Sequence, residues 1–261
     1  MKKTAKILAL ALSIVMLCTA FVGCGKDENT IVYGTSADYA PYEFHTIIDG
    51  KDTIVGYDVS LAKFIAKEAK MDIEIKDIGF DFLIQELKNG TIDMVIAAME
   101  EDPERAKEAD FSDPYYTDEP PMILVRKADT ANYKTKDDFN GKTVGAQAAT
   151  TKEELVTTDM EGAKLLSLTT VPDLINNLLF NKCDAVVLDA AVARQYAEAN
   201  PDLVISDAAL GVAAPYRVAV KKGDPKNLLP IINEAIKKAN DQGLLVSWMD
   251  EAVKLSESAA Q

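Results

Sequence analysis

A single arginine, Arg105, lies in an acid-rich stretch of the chain, AAMEEDPERAKEADFSDPYY (97–116). A guanidinium presents a planar pair of N–H donors that match the two oxygens of a carboxylate. That carboxylate could belong to the chain, since Glu101 and Glu108 lie close to Arg105 in sequence and surface helices often carry such pairs. It could also belong to another molecule, and the stretch alone leaves both interpretations open.

Few other residues offer the chemistry of catalysis or metal binding. The one histidine, His45, is predicted to lie in an exposed loop (45–52) without a partner. Glu100 is the one candidate for general acid–base catalysis that we can name, and Cys183, with no histidine nearby, is interpreted as a spectator. No metal-ligand cluster and no glycine-rich phosphate loop is recognisable, so we predict no metal and no cofactor.

The charge balance disfavours some classes of partner. The 261 residues include 28 Lys+Arg and 42 Asp+Glu, a formal net charge of −14. Binding to nucleic acid needs a clustered basic face, and no run of lysine and arginine supplies one. A polybasic patch for a membrane surface is disfavoured for the same reason.

The first two dozen residues read as a targeting segment. Residues 1–23 have a basic start and an apolar stretch too short for a comfortable membrane span, so we interpret them as a signal peptide. The segment ends in FVGC at Cys24, which resembles the lipobox of bacterial lipoproteins, and 24–29 form a polar tether. The resemblance implies a lipid on Cys24 and a protein anchored outside the cytoplasm; an ordinary signal peptide with an incidental cysteine is the alternative.

Arg105 follows an alternation of strand and helix patterns. Apolar runs predict strands, and amphipathic stretches predict helices. The strands are predicted at 31–36, 71–78 and 92–99, and the helices at 58–70 and 81–90. Asp58 and Asp81 are predicted N-caps of these helices. This order predicts an α/β fold with a parallel sheet covered by helices on both faces.

A second series of the same kind begins near Lys136. Its predicted strands are 142–147, 163–170 and 184–189, and its predicted helices are 150–157, 172–182 and 190–200. The segments 83–96 and 174–187 share the pattern L-I-x-x-L-x-x-x-x-x-D-x-V, one copy in each series. Chance similarity is one explanation; two related lobes built on one plan is the other.

Long ordered blocks give the chain a family resemblance. It resembles the extracellular solute-binding proteins of polar amino acid ABC transporters, family 3, in the blocks 34–44, 56–69, 80–99, 103–116, 141–151 and 184–196. The resemblance implies a two-lobe periplasmic-binding-protein-like (type II) fold with two strand crossovers. Lobe 1 would be 30–117 plus 213–261, and lobe 2 would be 118–212.

The resemblance also implies a ligand site in the cleft between the lobes. Arg105 would bind the α-carboxylate of the ligand, and Thr150 and Thr151 would add backbone N–H groups and hydroxyls from the start of a helix. Capping is the alternative role of the threonines, since Glu153 and Glu154 stand at capping-box spacing. Asp189, at the end of a strand, would accept the α-ammonium, although a plain turn residue is also common there.

Further positions follow from the same resemblance. Tyr39 and Phe80 would sandwich the ligand side chain, with a place in the core as the alternative for each. Ser36 occupies a specificity position where many relatives have an acid. Gln147 and Ala98 complete the predicted ligand-binding set.

The chain departs from the family at Glu100, where many relatives carry a hydroxyl that contacts the carboxylate. A like charge about 4 Å from that carboxylate costs roughly 4 kcal/mol at an effective dielectric of 20. Glu100 could turn outward, pair with Arg105, or bind a cationic group on the ligand. Ala98 and Ala149 also stand where glycine is usual.

Three functions are therefore weighed. The first is a lipid-anchored receptor, a monomer that delivers an amino acid or related amine to an ABC permease. The second is a dehydratase-like enzyme on the same scaffold, for which Glu100 is the candidate group. The third is a ligand sensor or adhesin without a transporter, and the presence of neighbouring permease and ATPase genes would separate the first from the third.

Overall fold

The computed structural model describes residues 29–259. The predicted signal peptide (1–23) and Cys24 lie outside the described residues, as does most of the tether. Within the described range, no helix combines the length and the apolar character that crossing a membrane requires. The residues from Ile31 onward form one compact unit, to which the following description applies.

Thirteen strands lie in the described part of the chain, and they form two five-stranded sheets and one three-stranded sheet. They are β1 (Thr30–Thr35), β2 (Asp38–Tyr39), β3 (Glu43–Ile48), β4 (Lys51–Val55), β5 (Asp72–Asp77), β6 (Met94–Val95), β7 (Ala109–Thr117), β8 (Met122–Arg126), β9 (Thr143–Gln147), β10 (Lys164–Leu168), β11 (Ala185–Leu188), β12 (Leu203–Ile205) and β13 (Pro215–Lys221).

The first large sheet has the order β5-β1-β6-β13-β7, and the second has the order β10-β9-β11-β8-β12. We call the part built on the first sheet, together with the small β2-β3-β4 sheet, the first lobe, and the part built on the second sheet the second lobe. The chain passes to the second sheet after β7 ends at Thr117, and it returns where β13 begins at Pro215.

The prediction of parallel sheets is only partly right. β1 pairs in parallel with β6, and β9 pairs in parallel with β10 and β11. In contrast, β13 runs antiparallel to β6 and β7, and β8 runs antiparallel to β11 and β12. The returning strand β13 makes the first sheet mixed, and β8 makes the second sheet mixed.

Eight α-helices cover the sheets in the described residues. They are α1 (Tyr57–Ala69), α2 (Leu83–Asn89), α3 (Arg105–Glu108), α4 (Thr151–Asp159), α5 (Val171–Leu179), α6 (Ala190–Ala199), α7 (Leu229–Asp241) and α8 (Leu244–Ala259). In α1, Leu61 and Ile65 lie four residues apart and are fully buried, as an amphipathic helix on a sheet requires.

Two predicted caps are wrong. Asp58 lies inside α1, whose N-cap is Gly56, and its buried carboxylate accepts the backbone N–H of Ala98 at 2.7 Å. Asp81 lies in a short 3-10 helix (Phe80–Phe82) that precedes α2 and provides no side-chain cap to it. The predicted stop at Gly90 is confirmed, because Gly90 has φ +78° and ends α2 in the left-handed conformation.

The two copies of the repeated pattern occupy equivalent places. The copy at 83–96 forms α2 and β6 in the first lobe, and the copy at 174–187 forms most of α5 and β11 in the second. β6 and β11 lie at the centre of their sheets, each beside a parallel partner. The pattern therefore marks one supersecondary unit used in both lobes.

Candidate functional site

All ten residues predicted to bind a ligand line one cavity between the two lobes. They are Ser36, Tyr39, Phe80, Ala98, Glu100, Arg105, Gln147, Thr150, Thr151 and Asp189. The cavity lies at the carboxyl ends of β1, β6, β9 and β11, the edge where parallel sheets place ligands. Its volume is about 10 Å³, which is close to the space that one water needs. The lobes are closed on one another.

Four further residues line the cavity that the sequence did not suggest: Asp38, Glu43, Ala97 and Lys152. Two of these residues could have been suspected from the sequence, because Asp38 precedes the predicted residue Tyr39 and Lys152 follows the predicted residue Thr151. A second signal was Glu100, since a buried acid requires a positive partner.

Arg105 opens α3 and uses its guanidinium within the closed cleft. Its Nε donates to Asp102 Oδ2 at 3.0 Å, and one terminal nitrogen donates to the carbonyl of Glu100 at 2.6 Å. The other terminal nitrogen donates to the carbonyl of Ala149, in the second lobe, at 2.8 Å, and the Phe80 ring lies 5.3 Å from the guanidinium carbon. Arg105 therefore pairs with Asp102 rather than with either acid considered from sequence.

Burial lowers the pKa of Arg105, and the nearby carboxylates of Asp102 and Glu100 oppose that shift. The group keeps its charge because the ordinary pKa of an arginine lies far above neutral pH. A fixed guanidinium with carbonyl partners thus lies at the wall of the cavity, where a carboxylate could replace those partners.

Glu100 is buried, so the possibility that it turns outward is wrong. Its carboxylate accepts a hydrogen bond from Thr151 Oγ1 and lies 3.2 Å from Lys152 Nζ. Pairing with Arg105 is also wrong for the carboxylate, because Arg105 contacts only the backbone carbonyl of Glu100. Contact of Glu100 with a cationic ligand group stays a prediction.

Asp189 is held from both lobes. It follows β11 and is only 3% exposed; its Oδ2 accepts the hydroxyl of Tyr39 at 2.7 Å, and its Oδ1 lies 2.6 Å from Lys152 Nζ. The Tyr39 hydroxyl also accepts the backbone N–H of Asp189 at 3.2 Å. This carboxylate is fixed in place, as an acceptor for an ammonium group would need to be.

Lys152 is the positive centre between these two acids. Burial lowers the pKa of Lys152, but the attraction of Asp189 and Glu100 outweighs burial and raises it above the ordinary value. Burial raises the pKa of Asp189, and Lys152 opposes that shift. With one ammonium at 2.6 Å and 3.2 Å from two carboxylates, the charged form of Lys152 is favoured.

Asp38 connects the lobes at one end of the cavity. Its Oδ2 accepts the backbone N–H of Val171, the first residue of α5, at 2.8 Å, and the amide of Gln147 at 3.4 Å. Ser36 Oγ donates to the other oxygen at 3.1 Å. Burial raises the pKa of Asp38, and these hydrogen bonds oppose the shift because they favour the carboxylate.

Glu43 and Asp58 form a buried acid pair beside the cavity. Burial raises the pKa of Asp58 to about 6 and raises that of Glu43 well above its ordinary value. Apart from a bond between the two residues, the oxygens of Glu43 have no partner. The raised pKa favours the neutral form of Glu43, which could donate a hydrogen bond to Asp58.

Thr150 and Thr151 begin α4 without the predicted capping box. Thr150 is the N-cap residue, but its hydroxyl donates to the carbonyl of Gln147 at 2.7 Å instead of accepting from the helix. Glu153 accepts the backbone N–H of Ala149 at 2.7 Å. The hydroxyl of Thr151 is used by Glu100, so the first turn of α4 is tied to the first lobe.

Two residues considered for other chemistry lie away from the cavity. His45 is in strand β3 and contacts Asp52 and Asp77, so the prediction of a loop residue without a partner is wrong. Cys183 is buried and free. Among the described residues, no group of three or more histidine, cysteine or acidic side chains is arranged to hold a metal ion.

Comparisons with known proteins agree on one family. Residues 31–251 match the bacterial extracellular solute-binding proteins, family 3. The arginine-binding extracellular protein ArtP of Bacillus subtilis is 36% identical over 248 residues, covering 90% of this chain and 93% of that protein. The ABC transporter arginine-binding protein 1 of Escherichia coli is 29% identical over 250 residues, covering 92% and 97%.

A solved structure gives the same answer for the fold. The amino acid ABC transporter substrate-binding protein AbpA of Streptococcus pneumoniae, bound to L-arginine, superposes with a TM-score of 0.84 at 34% identity, covering 88% of this chain and 96% of that one. The predicted two-lobe periplasmic-binding-protein fold is thereby confirmed. With its two mixed sheets and the cavity between them, the chain belongs to the bacterial extracellular solute-binding proteins, family 3.

Proposed function

We propose that this chain binds an α-amino acid with a cationic side chain and delivers it to an ABC permease. The observation that carries the proposal is that Arg105 and Asp189, from different lobes, line the same cavity. Arg105 would bind the α-carboxylate of the ligand and Asp189 its α-ammonium. A zwitterion that contacts both groups would then hold the two lobes together.

The charges of the cavity support a cationic side chain. Arg105 and Lys152 are two cations of the cavity wall, and Glu100, Asp189 and Asp38 count as three anions when ionised; the raised pKa of Glu43 favours its neutral form. A ligand with one net positive charge would neutralise the remaining negative charge. Because Asp189 is assigned to the α-ammonium and Glu100 contacts Lys152, Asp38 is the acid that would accept a side-chain amine or guanidinium, with Ser36 and Gln147 beside it.

The relatives support the same class of ligand. Two proteins that align with nearly the whole chain are named for arginine, and AbpA was solved with L-arginine bound. Arg105 offers the α-carboxylate a planar donor pair, and Phe80 and Tyr39 offer apolar rings beside the ligand stem.

The movement that this function needs follows from the cavity volume. A space of about 10 Å³ does not hold an amino acid, so the lobes must separate for the ligand to enter. On closure, Arg105 would exchange its carbonyl partners for the ligand carboxylate. A ligand that contacts both lobes would stabilise the closed form.

Isothermal titration with L-arginine, L-lysine, L-glutamine and L-glutamate tests the proposal. We expect arginine or lysine to bind tightest and glutamate at least about tenfold more weakly, because its side chain adds charge of the wrong sign. The matched variant Asp38→Asn should reduce the preference for arginine over glutamine. Equal binding of arginine and glutamine would overturn the cationic class, and no binding by any of the four would overturn the amino acid class.

We infer that the protein is a carrier rather than an enzyme. The family consists of solute-binding proteins, and the candidate acid–base group, Glu100, is engaged by Thr151 and Lys152. A general acid or base needs access to a reacting proton, which these contacts remove. Recovery of the titrated ligand unchanged after prolonged incubation would support a carrier, and a chemically altered product would overturn it.

The remaining expectations belong to the same proposal. We propose that lobe 1 comprises 30–117 and 213–261 and that lobe 2 comprises 118–212; the division of strands between the two sheets supports these bounds. We also propose that the protein acts as a monomer, attached through Cys24 on the outer side of the membrane. A single species of monomer mass by light scattering is expected.

A further inference from the structure

The side chain of Lys152 lies in the closed cleft between two acids. It belongs to the first turn of α4 and is 5% exposed. Its ammonium is 2.6 Å from Asp189 Oδ1 and 3.2 Å from Glu100 Oε1. Among the described cavity-lining residues, Arg105 is the one other cation, and it contacts different partners.

The two acids belong to different lobes. Asp189 follows β11 of the second sheet, whereas Glu100 follows β6 and bridges to Tyr216 of the first sheet. Lys152 itself is in the second lobe, so its contact with Glu100 crosses the cleft. This ion pair is buried on both sides, with side-chain exposures of 6% and 7%, where charge attraction is less screened than at the surface.

The position of Lys152 coincides with the site proposed for the ligand ammonium. One oxygen of Asp189 accepts Tyr39, and the other contacts Lys152. A second ammonium on the same carboxylate would lie within a few ångströms of the first, and two like charges at about 4 Å repel by roughly 4 kcal/mol at an effective dielectric of 20. A ligand and Lys152 therefore compete for Asp189.

We propose that Lys152 is a built-in competitor and latch: its ammonium bridges Glu100 and Asp189, holds the lobes closed before a ligand enters, and gives up Asp189 to the ligand ammonium. The exchange of Asp189 from Lys152 to the ligand rests on the proposed function, whereas the closure by Lys152 without a ligand does not. After the exchange, Lys152 keeps Glu100, which shields the α-carboxylate of the ligand from the charge of that acid. Lys152 thus explains how a glutamate is tolerated at position 100.

The latch makes a clear demand on the protein without ligand. If the ammonium is removed, Glu100 and Asp189 face each other as two carboxylates in a closed, buried space. Their repulsion favours separation of the lobes, so the closed population falls. Lys152→Met keeps an unbranched apolar stem, one atom shorter than that of lysine, and removes the charge and the hydrogen bonds.

Distances between spin labels, one in each lobe, measure the closed population. The labels are placed on exposed residues away from the cleft, and the full-length chain is compared with Lys152→Met, with and without L-arginine. We expect the unliganded parent to be mostly closed and Lys152→Met to reduce the closed fraction about tenfold, with arginine restoring closure. The control Lys164→Met, at an exposed lysine of β10, should leave the distances unchanged.

The outcomes separate this inference from the proposed function. Equal closure of the parent and Lys152→Met without ligand would overturn the latch. Opening of Lys152→Met that L-arginine does not reverse would support the latch and overturn arginine as the ligand, since the parent is expected to be mostly closed with or without it. Lys152→Gln, which is neutral but polar, should open the lobes as Lys152→Met does, and circular dichroism confirms that each variant is folded.

Discussion

Ala149 has a backbone conformation that costs energy for any residue with a Cβ atom. Its φ is +62°, in the left-handed region, and its side chain is exposed. Its N–H and carbonyl are used by Glu153 and Arg105, so the conformation is held by two hydrogen bonds that do not involve the methyl group. The strain at this position is therefore separable from its contacts.

Ala149→Gly should stabilise the protein. Relief of left-handed strain stabilises the folded state by about 1–2 kcal/mol, and the greater entropy of glycine in the unfolded chain offsets about 0.4–1 kcal/mol of that gain. We expect a net gain of about 0.5–1 kcal/mol in the free energy of unfolding, or a rise of about 1–4 °C in Tm. Chemical and thermal denaturation followed by circular dichroism measure both.

Ala98→Gly is the matched control, because Ala98 also has a positive φ, +44°, but is buried. The loss of a buried methyl group costs about 0.8 kcal/mol, so we expect little net change in the free energy of unfolding. A fall in Tm for Ala149→Gly would mean that its methyl group makes contacts worth more than the backbone strain.

The positions of the site residues could be predicted from the sequence, whereas most of their contact partners could not. Every predicted position lines the cavity, since a family resemblance fixes places in the chain well. The partners were harder: Arg105 contacts two backbone carbonyls, which no residue type reveals, and the ion partner of Glu100 is 52 residues away in sequence, at Lys152. Hydrogen bonds of this kind depend on how the lobes meet.

At the scale of elements, His45 fastens the small sheet to the rim of the cleft. It lies on β3; its Nδ1 is 2.9 Å from Asp52 of β4 and its Nε2 is 3.1 Å from Asp77 of β5. Asp77 in turn accepts the backbone N–H of Ala37, next to the cavity residue Ser36. Partial burial lowers the pKa of His45, but the hydrogen bonds to Asp77 and Asp52 outweigh it and raise the pKa.

The stability that His45 supplies should depend on pH. Because its pKa is raised on folding, the folded state binds the proton more tightly, and the contribution is fully present below the ordinary pKa near 6.5 and lost as pH rises through the folded pKa. His45→Gln should lower Tm by about 1–3 °C near pH 5.5 and by less near pH 8.5.

Differential scanning calorimetry of the parent and His45→Gln at both pH values checks this expectation. Asp52→Asn should weaken the same pH dependence, because it removes one of the two acids that favour the charged imidazole. A Tm difference that stays the same at both pH values would assign His45 a packing role instead.

The elements themselves were largely predictable, and their ends were not. Periodicity places α1 and α5 within a few residues, since their apolar faces are regular. The run 92–99 reads as one strand, but β6 is confined to Met94–Val95. Ala98, in the left-handed conformation, turns the chain out of the sheet and toward the cleft.

At the scale of the whole molecule, the repeated pattern predicts two lobes, but the antiparallel strands in each sheet could not be predicted from the sequence. The returning strand β13 lies between β6 and β7, and pairing of strands so distant in the chain leaves no local periodic signal. The six tyrosines that pack where the lobes join, Tyr39, Tyr42, Tyr57, Tyr115, Tyr116 and Tyr216, likewise come from four separate segments of the chain.

At the scale of the whole molecule, the proposed attachment to a membrane would be through Cys24, which lies outside the described residues. Cys24→Ser should abolish incorporation of radiolabelled fatty acid and release the protein from the membrane fraction, because the mature chain would lose its acyl groups. Membrane fractionation with detection of the protein measures the change. Cys183→Ser is the control and should stay with the membrane; unchanged attachment of Cys24→Ser would overturn the anchor.

The contact between Arg105 and the carbonyl of Ala149 joins the two lobes through a backbone atom. A main-chain oxygen is present whichever amino acid occupies the position, so replacing the side chain of residue 149 does not remove the acceptor of this hydrogen bond. The geometry of this hydrogen bond depends on the backbone path of the loop before α4 rather than on the side chain at position 149. Descendants of this protein could therefore replace residue 149 and keep this contact, provided that the new residue tolerates the left-handed turn of the loop.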